Sequence, residues 1–207
     1  MSEHKDWVGD SNSIYKTLGA SNHTEKERET NDFYATDPIA IDKLIKKFSI
    51  PHNVWECACG NGTLVKRLKD LGHFVFASDI IDRGCSDKLI DFLTINKAPE
   101  ELGNDFCILT NPPYSAGCEF VTKSLDLLDN GQFVIMFLKL QFLEGKKRFN
   151  EIYSKNPPRY LFVSTERILC AKNARFDEMK AGGGSAVAYG WYVWQKGYQG
   201  KTEIDWI

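Results

Sequence analysis

The sequence of 207 residues contains no long apolar run. No stretch approaches the roughly 18 consecutive apolar residues of a membrane-spanning helix. Residues 1–31 are polar and charged and lack the apolar core of a secretion signal. We therefore expect a cytoplasmic protein with no membrane role. Its 43% apolar and 26% charged residues are typical of a globular domain.

The six cysteines lack the paired spacing of a zinc site. Cys57 and Cys59 are separated by one residue, and no second such pair follows. We therefore expect reduced thiols and no metal. The chain also lacks a large excess of either charge. Its formal net charge of −2 argues against a protein that coats nucleic acid by charge alone. A local basic run at Lys146, Lys147 and Arg148 could still do so, although such runs are more often solvated helix faces.

The length predicts one domain over residues 32–207, preceded by a flexible leader over residues 1–31. Hydrophobic periodicity predicts helices over residues 39–48, 63–71 and 116–128. These alternate with strand-like stretches at 53–57, 74–78, 106–110 and 132–138. Such alternation is typical of an α/β fold with a mostly parallel, doubly wound sheet. Residues 159–164 and 186–195 are strand-like with no helix between them, which predicts one reversed strand near the C-terminal end.

A glycine-rich turn follows the first of these strands and leads into a helix. It consists of Glu56, Cys57, Ala58, Cys59, Gly60, Asn61 and Gly62. Such a turn lets a ligand approach the backbone and the helix N-terminus closely. About 20 residues further on, Asp79 ends the next strand, where an acid can accept hydrogen bonds from ribose hydroxyls. Asp91 and Phe92 could flank an adenine ring, although each of these features is ordinary by itself. Together they predict a cofactor that contains a nucleoside.

The turn lacks the third glycine of the dinucleotide-binding fingerprint. Val65 stands at that position, and no Gly-Lys-Ser or Gly-Lys-Thr follows as in a P-loop. A nicotinamide dehydrogenase is therefore disfavoured. The acid Glu56 at the strand end suits a ligand that carries an ammonium group instead of phosphates. S-adenosylmethionine is such a ligand.

Asn111, Pro112, Pro113 and Tyr114 follow the strand-like residues 106–110. The prolines fix φ and remove two backbone donors, while Asn111 offers an amide oxygen and Tyr114 a flat aromatic face. Two prolines after a central strand are an awkward way to build an ordinary turn. The carboxyl end of a parallel strand is also where open α/β sheets bind ligands. The tetrapeptide therefore suits a planar substrate with an NH2 group.

These residues resemble the S-adenosylmethionine-dependent amino-methyltransferases, specifically the N6-adenine DNA methyltransferases. The tetrapeptide resembles their catalytic motif, and the glycine turn resembles their cofactor motif. Residues 32–38 resemble the segment that closes over the methionine part of the cofactor. Residues 139–144 and 193–197 are similar to segments of small phage and prophage members, so the likeness spans roughly residues 32–198.

The resemblance implies a Rossmann-like class I methyltransferase fold, S-adenosylmethionine as cofactor and DNA as substrate. The implied catalytic residues are Asn111, Pro112, Pro113 and Tyr114. The implied cofactor-binding residues are Tyr34, Thr36, Glu56, Cys57, Ala58, Gly60, Gly62, Asp79, Asp91, Phe92 and Asn111. The acceptor would be the exocyclic N6 amine of adenine, taken out of the base stack.

The chain departs from that family at two points. Ala58 stands where the family often has phenylalanine, and only residues 141–158 and 171–185 are left for target recognition. Alternatives therefore remain open: an RNA base or a protein glutamine amide as acceptor, or a binding module without activity. Oligomeric state and recognition sequence are not predicted.

Overall fold

The computed structural model describes residues 34–172, 176–177 and 187–207. The expected leader, Asp32 and Phe33 of the closing segment, and most of residues 171–185 lie outside the described residues. The strands are β1 (Tyr34–Thr36), β2 (Asn53–Glu56), β3 (Phe74–Asp79), β4 (Lys88–Leu89), β5 (Cys107–Thr110), β6 (Phe133–Lys139), β7 (Tyr160–Val163), β8 (Cys170–Lys172), β9 (Tyr189–Gln195) and β10 (Glu203–Trp206).

The longer α-helices of the described residues are α1 (Ile39–Leu44), α2 (Thr63–Asp70) and α3 (Gly117–Leu127). Short 3-10 turns cover Glu100–Leu102, Tyr114–Ala116 and Leu140–Leu143, and a helical turn at Lys146–Arg148 runs into a π-helical turn at Phe149–Tyr153. Helix α1 is shorter than the 39–48 range that its periodicity predicts. The residues after Leu44 turn instead, and the Phe48 ring packs edge-on against Phe133 at 5.2 Å between centroids. No helix of the described residues has the length and hydrophobicity to cross a membrane.

A central sheet has the strand order β10-β7-β9-β6-β5-β2-β3-β4. Neighbouring strands are parallel except where β9 pairs antiparallel with both β6 and β7. The mostly parallel sheet with one reversed strand near the C-terminal end is therefore confirmed. Strand β9 runs opposite to both of its neighbours, as expected for two strands with no helix predicted between them.

Three short pairings are not foreseen from the sequence. Strand β1 pairs antiparallel with β8 in a separate two-stranded sheet, β10 extends the central sheet beyond β7, and β4 adds to β3. Strands β1, β4 and β8 have only two or three residues, too few to show a period of two, and β10 is mostly exposed and lacks an apolar segment. Only their hydrogen-bonded pairing with neighbouring strands identifies them as strands.

Helices cover both faces of the central sheet. Apolar residues of α1 and α2 pack on one face and those of α3 on the other. Both faces are apolar because a parallel sheet in such a fold is covered on both sides. The buried tryptophans keep hydrogen-bond partners: Trp55 Nε1 donates to Ser78 Oγ at 3.0 Å, and Trp191 Nε1 donates to the Ala40 carbonyl at 2.9 Å. Val65 is buried in the first of these layers.

The carboxyl ends of β2, β3, β5 and β6 meet at one edge of the sheet because these strands are parallel. This edge carries Glu56, Asp79 and Asn111 at the ends of the first three strands. The small sheet formed by β1 and β8 brings Tyr34 and Thr36 to the same edge.

Candidate active site

A cavity of about 440 Å³ lies at this carboxyl edge. Its volume falls within the range of small-molecule and cofactor sites. Its walls contain the predicted residues Tyr34, Thr36, Glu56, Cys57, Ala58, Gly60, Asp79, Asp91, Phe92, Asn111, Pro112, Pro113 and Tyr114. The fold thus brings together residues that are spread over 81 positions of the sequence, from 34 to 114.

Backbone hydrogen bonds hold the glycine turn against the end of β3. The Cys59 N–H donates to the Ser78 carbonyl at 3.0 Å, and the Gly62 N–H donates to the Cys59 carbonyl at 2.8 Å. Gly60 and Gly62 have φ angles of 56° and 76°, in the left-handed region that favours glycine. A Cβ on Gly62 would also lie 2.9 Å from the Cβ of Cys85. Gly62 therefore shapes the turn without lining the cavity.

Asp79 anchors the turn as well as lining the cavity. Its Oδ2 accepts the Gly60 N–H at 2.8 Å, while its Oδ1 accepts the Ile81 N–H at 2.9 Å and an Arg83 guanidinium N–H at 3.1 Å. An ionised carboxylate can accept about four hydrogen bonds. These contacts therefore leave room on Oδ2 for a further donor, such as a hydroxyl group.

Glu56 places a carboxyl group in the cavity wall with only 1% of the residue exposed. Burial raises the pKa of Glu56 from its ordinary value of 4.5 to about 8, and the negative charge of Asp79 adds to this rise. The Thr110 side chain and the Ala58 N–H oppose it, the latter donating to Glu56 Oε1 at 3.2 Å. A buried carboxyl group with such a pKa can become a counter-ion as soon as a cation reaches it.

Two acceptors on β1 fix the Asn111 amide. Its Nδ2 atom donates to the Tyr34 carbonyl at 3.1 Å and to Thr36 Oγ1 at 2.8 Å. A carbonyl oxygen can only accept, so this contact assigns the nitrogen to the β1 side of the amide. Within the described residues, the Asn111 Oδ1 atom is buried and has no hydrogen-bond partner. An orphaned buried acceptor is costly and uncommon, and Asn111 lines the cavity.

The Tyr114 ring packs against another aromatic ring and a lysine ammonium group. Tyr34 stacks on it with ring centroids 5.6 Å apart, and the Lys139 Nζ atom lies 4.4 Å from its centroid. The Tyr114 hydroxyl donates to the Tyr189 hydroxyl at 3.2 Å. Burial raises the pKa of Tyr114, so its hydroxyl stays protonated.

Tyr189 and Cys170 lie beside Tyr114 in the structure but are not predicted from the sequence. Burial raises the pKa of the Cys170 thiol to about 11, and the Tyr114 hydroxyl is among its neighbours. No local pattern identifies these residues, because the pairing of Thr36 with Cys170 in the small sheet depends on tertiary structure. Lys139 lies at the start of a segment that the family resemblance includes.

The sequence matches no protein-family model and no curated protein. Solved structures are similar in fold. A Listeria monocytogenes protein assigned to the class I S-adenosylmethionine-dependent methyltransferases superposes with a TM-score of 0.58 at 11% identity, over 94% of this chain and 71% of that one. A Pyrococcus horikoshii protein assigned to the RNA methyltransferases gives 0.53 at 13% identity, over 90% and 99% of the two chains. The M protein of the type I restriction enzyme EcoKI gives 0.50 at 12% identity, over 82% and 45%.

The chain has the Rossmann-like fold of the class I methyltransferases. At such low identity the likeness concerns the fold, and the chemistry of the site has to be argued from its own residues.

Proposed function

We propose that the chain is an S-adenosylmethionine-dependent methyltransferase that modifies the exocyclic N6 amine of adenine in DNA. The observation that carries this proposal is the buried Asn111 Oδ1, an acceptor without a partner in the described residues, at the carboxyl end of a parallel strand. A planar amine supplies the donor that this oxygen lacks.

The cavity fits the cofactor at four places. Glu56 offers a buried carboxyl group to the ammonium group, and Asp79 has room for a ribose hydroxyl. Gly60 has a positive φ angle and no side chain, so the cofactor can approach the backbone of the glycine turn closely. Phe92 presents an apolar wall between the rings of Trp55 and Phe120. When bound, S-adenosylmethionine supplies an electrophilic methyl group on a positively charged sulfur.

The chain's own residues act on the acceptor. The adenine amine is a poor nucleophile because its lone pair is delocalised into the ring. Asn111 Oδ1 and the Pro112 carbonyl would accept its two N–H groups and draw the nitrogen toward tetrahedral geometry, which localises the lone pair. Because the β1 contacts hold the Asn111 amide in place beforehand, little reorganisation is needed during the reaction.

Tyr114 would hold the face of the flipped base. The Tyr34 ring and the Lys139 ammonium already lie against the Tyr114 ring, so a base would replace one of these contacts. Stacking on an aromatic side chain is worth about 1–3 kcal/mol for each base.

The test is transfer of a labelled methyl group to mixed nucleic acids, followed by digestion and identification of the nucleoside. We expect N6-methyladenine in the DNA fraction, and Asn111→Ala should lower the rate by about 100-fold or more. Asn104→Ala, an exposed asparagine before β5, is the matched control and should leave the rate unchanged. Retained transfer by Asn111→Ala would refute the role of this residue. Label in RNA, or in protein glutamine, would replace the proposed acceptor with one of the alternatives that share a planar NH2 group.

A further inference from the structure

The segment that follows β6 lies beside the tetrapeptide. We call residues 141–151 the basic segment. The Phe142 ring packs on Gly117, where a Cβ would come within 3.1 Å of it, and Lys147 Nζ lies 3.5 Å from Glu119 Oε1. Gly117 and Glu119 belong to the first turn of α3, directly after the 3-10 turn that contains Tyr114. The basic segment therefore adjoins the candidate active site.

Internal contacts give the basic segment a defined shape. The Tyr153 hydroxyl donates to the Phe142 carbonyl at 2.7 Å. The Arg148 guanidinium donates to the carbonyls of Gln141 and Glu144 and lies over the Phe142 ring, 5.2 Å from its centroid. A surface that is already ordered loses less conformational entropy when it binds a partner.

The positive charges of the basic segment are only partly neutralised. Lys147 faces Glu119 at 3.5 Å and Glu151 at 3.8 Å. Lys146 and Arg148, in contrast, have no carboxylate within ion-pair distance among the described residues. Lys139, at the end of β6, likewise has no such partner there and holds its ammonium over Tyr114. Cations without a carboxylate partner in the described residues therefore occur both at the site and on the basic segment.

Two large apolar side chains of the basic segment are exposed to solvent. Leu143 is 46% exposed and Phe149 is 59% exposed. An exposed aromatic ring beside cations that lack a carboxylate partner in the described part of the chain matches the two features of a nucleic-acid strand, a charged backbone and flat bases. A chain with a net charge of −2 has to obtain its attraction for phosphate from such a local surface.

We propose that the basic segment is the surface on which DNA docks next to the active site. The exposed Lys146 contacts a backbone phosphate, Arg148 holds the segment in shape, and Phe149 stacks on a base neighbouring the one that reacts. This inference rests on the proposed function, since it takes DNA as the substrate. It places a target-contacting surface on the same fold that carries the candidate active site.

The test is the affinity of the full chain for a fluorescent DNA oligonucleotide, measured by anisotropy at several salt concentrations. Lys146→Gln should weaken binding about tenfold at 0.1 M salt and reduce the slope of log affinity against log salt by about 1. Lys201→Gln is the matched control, because Lys201 is an exposed lysine near the start of β10, at the opposite edge of the sheet. We expect no change for it.

Phe149→Ala should weaken binding by about 5- to 100-fold without changing the salt slope. Phe74→Ala removes another exposed phenylalanine, 43% exposed at the start of β3, and should bind DNA normally. Unchanged affinity for S-adenosylmethionine in calorimetry would show that each variant is folded.

The outcomes separate this inference from the proposed function. If the wild type methylates DNA but Lys146→Gln and Phe149→Ala bind it like the wild type, the docking surface is refuted and the function stands. If both variants bind DNA more weakly while the wild type transfers no methyl group to it, the surface stands and the acceptor is wrong. The choice of DNA would be wrong if RNA of the same length bound more tightly than DNA and if Lys146→Gln and Phe149→Ala weakened RNA binding to the same extent.

Discussion

Glu56→Gln should stabilise the protein in the absence of added ligand while it weakens the binding of S-adenosylmethionine. The substitution keeps the size of the side chain and its acceptor for the Ala58 N–H, but it removes the ionisable group. Burial raises the pKa of Glu56 from 4.5 to about 8. Between these two pH values the native protein retains a proton that the unfolded chain has lost. Stability therefore falls as the pH rises through this window.

The magnitude follows from this linkage. The loss of folding free energy caused by the raised pKa of Glu56 grows by about 1.4 kcal/mol for each pH unit above the unfolded-state pKa. It amounts to about 3 kcal/mol at pH 7. Urea unfolding of the wild type and Glu56→Gln at pH 5 and pH 8 measures it. We expect nearly equal stability at pH 5 and a clearly more stable variant at pH 8. Glu101→Gln, which removes an exposed carboxylate, should show no such pH-dependent difference.

The binding of S-adenosylmethionine should depend on pH in the direction opposite to that of folding stability. The ammonium group of the ligand favours the ionised form of Glu56, so binding below pH 8 should release a proton and strengthen as the pH rises. At pH 8 the variant should bind S-adenosylmethionine about 10- to 100-fold more weakly, as expected for a lost charge-assisted hydrogen bond. Calorimetry in buffers of different ionisation enthalpy detects the proton. Equal affinity, or a variant that is less stable at pH 8, would refute this account of Glu56.

Two further substitutions test the geometry of the site. Gly62→Ala should lower the free energy of unfolding by about 2–4 kcal/mol, because it adds a clash with Cys85 to the strain of a positive φ. Gly84→Ala has the same positive φ without a neighbour within 4 Å, so urea denaturation of both variants isolates the clash, and equal losses would contradict it. Thr36→Val removes one of the two acceptors that orient the Asn111 amide, so kcat should fall about 10- to 100-fold with little change in KM for the cofactor. Thr122→Val, on the exposed side of α3, should leave kcat unchanged, and an unaffected Thr36→Val enzyme would show that the Asn111 amide needs no such support.

Much of the fold can be predicted from the sequence because its strands are long enough to show a pattern. Strands β2, β3, β5 and β6 are apolar segments bounded by turn residues, and the helices between them show helical spacing. The reversed strand β9 follows from the absence of a predicted helix before it. Strands β1, β4 and β8 are not predicted because two or three residues carry no usable period, and β10 is not predicted because its four residues are mostly exposed and include two acids. All four owe their extended form to a partner strand.

The chemical groups at the carboxyl ends of the parallel strands can be predicted from the order of residues along the chain. Glu56, Asp79 and the tetrapeptide from Asn111 to Tyr114 follow strands directly, and parallel strands place their carboxyl ends at one edge. How those groups are oriented and buried depends on contacts between segments that are distant along the chain. The pairing of β1 with β8 sets the orientation of the Asn111 amide and leaves its oxygen without a partner in the described residues. Burial, which depends on every neighbour in space, raises the pKa of Glu56.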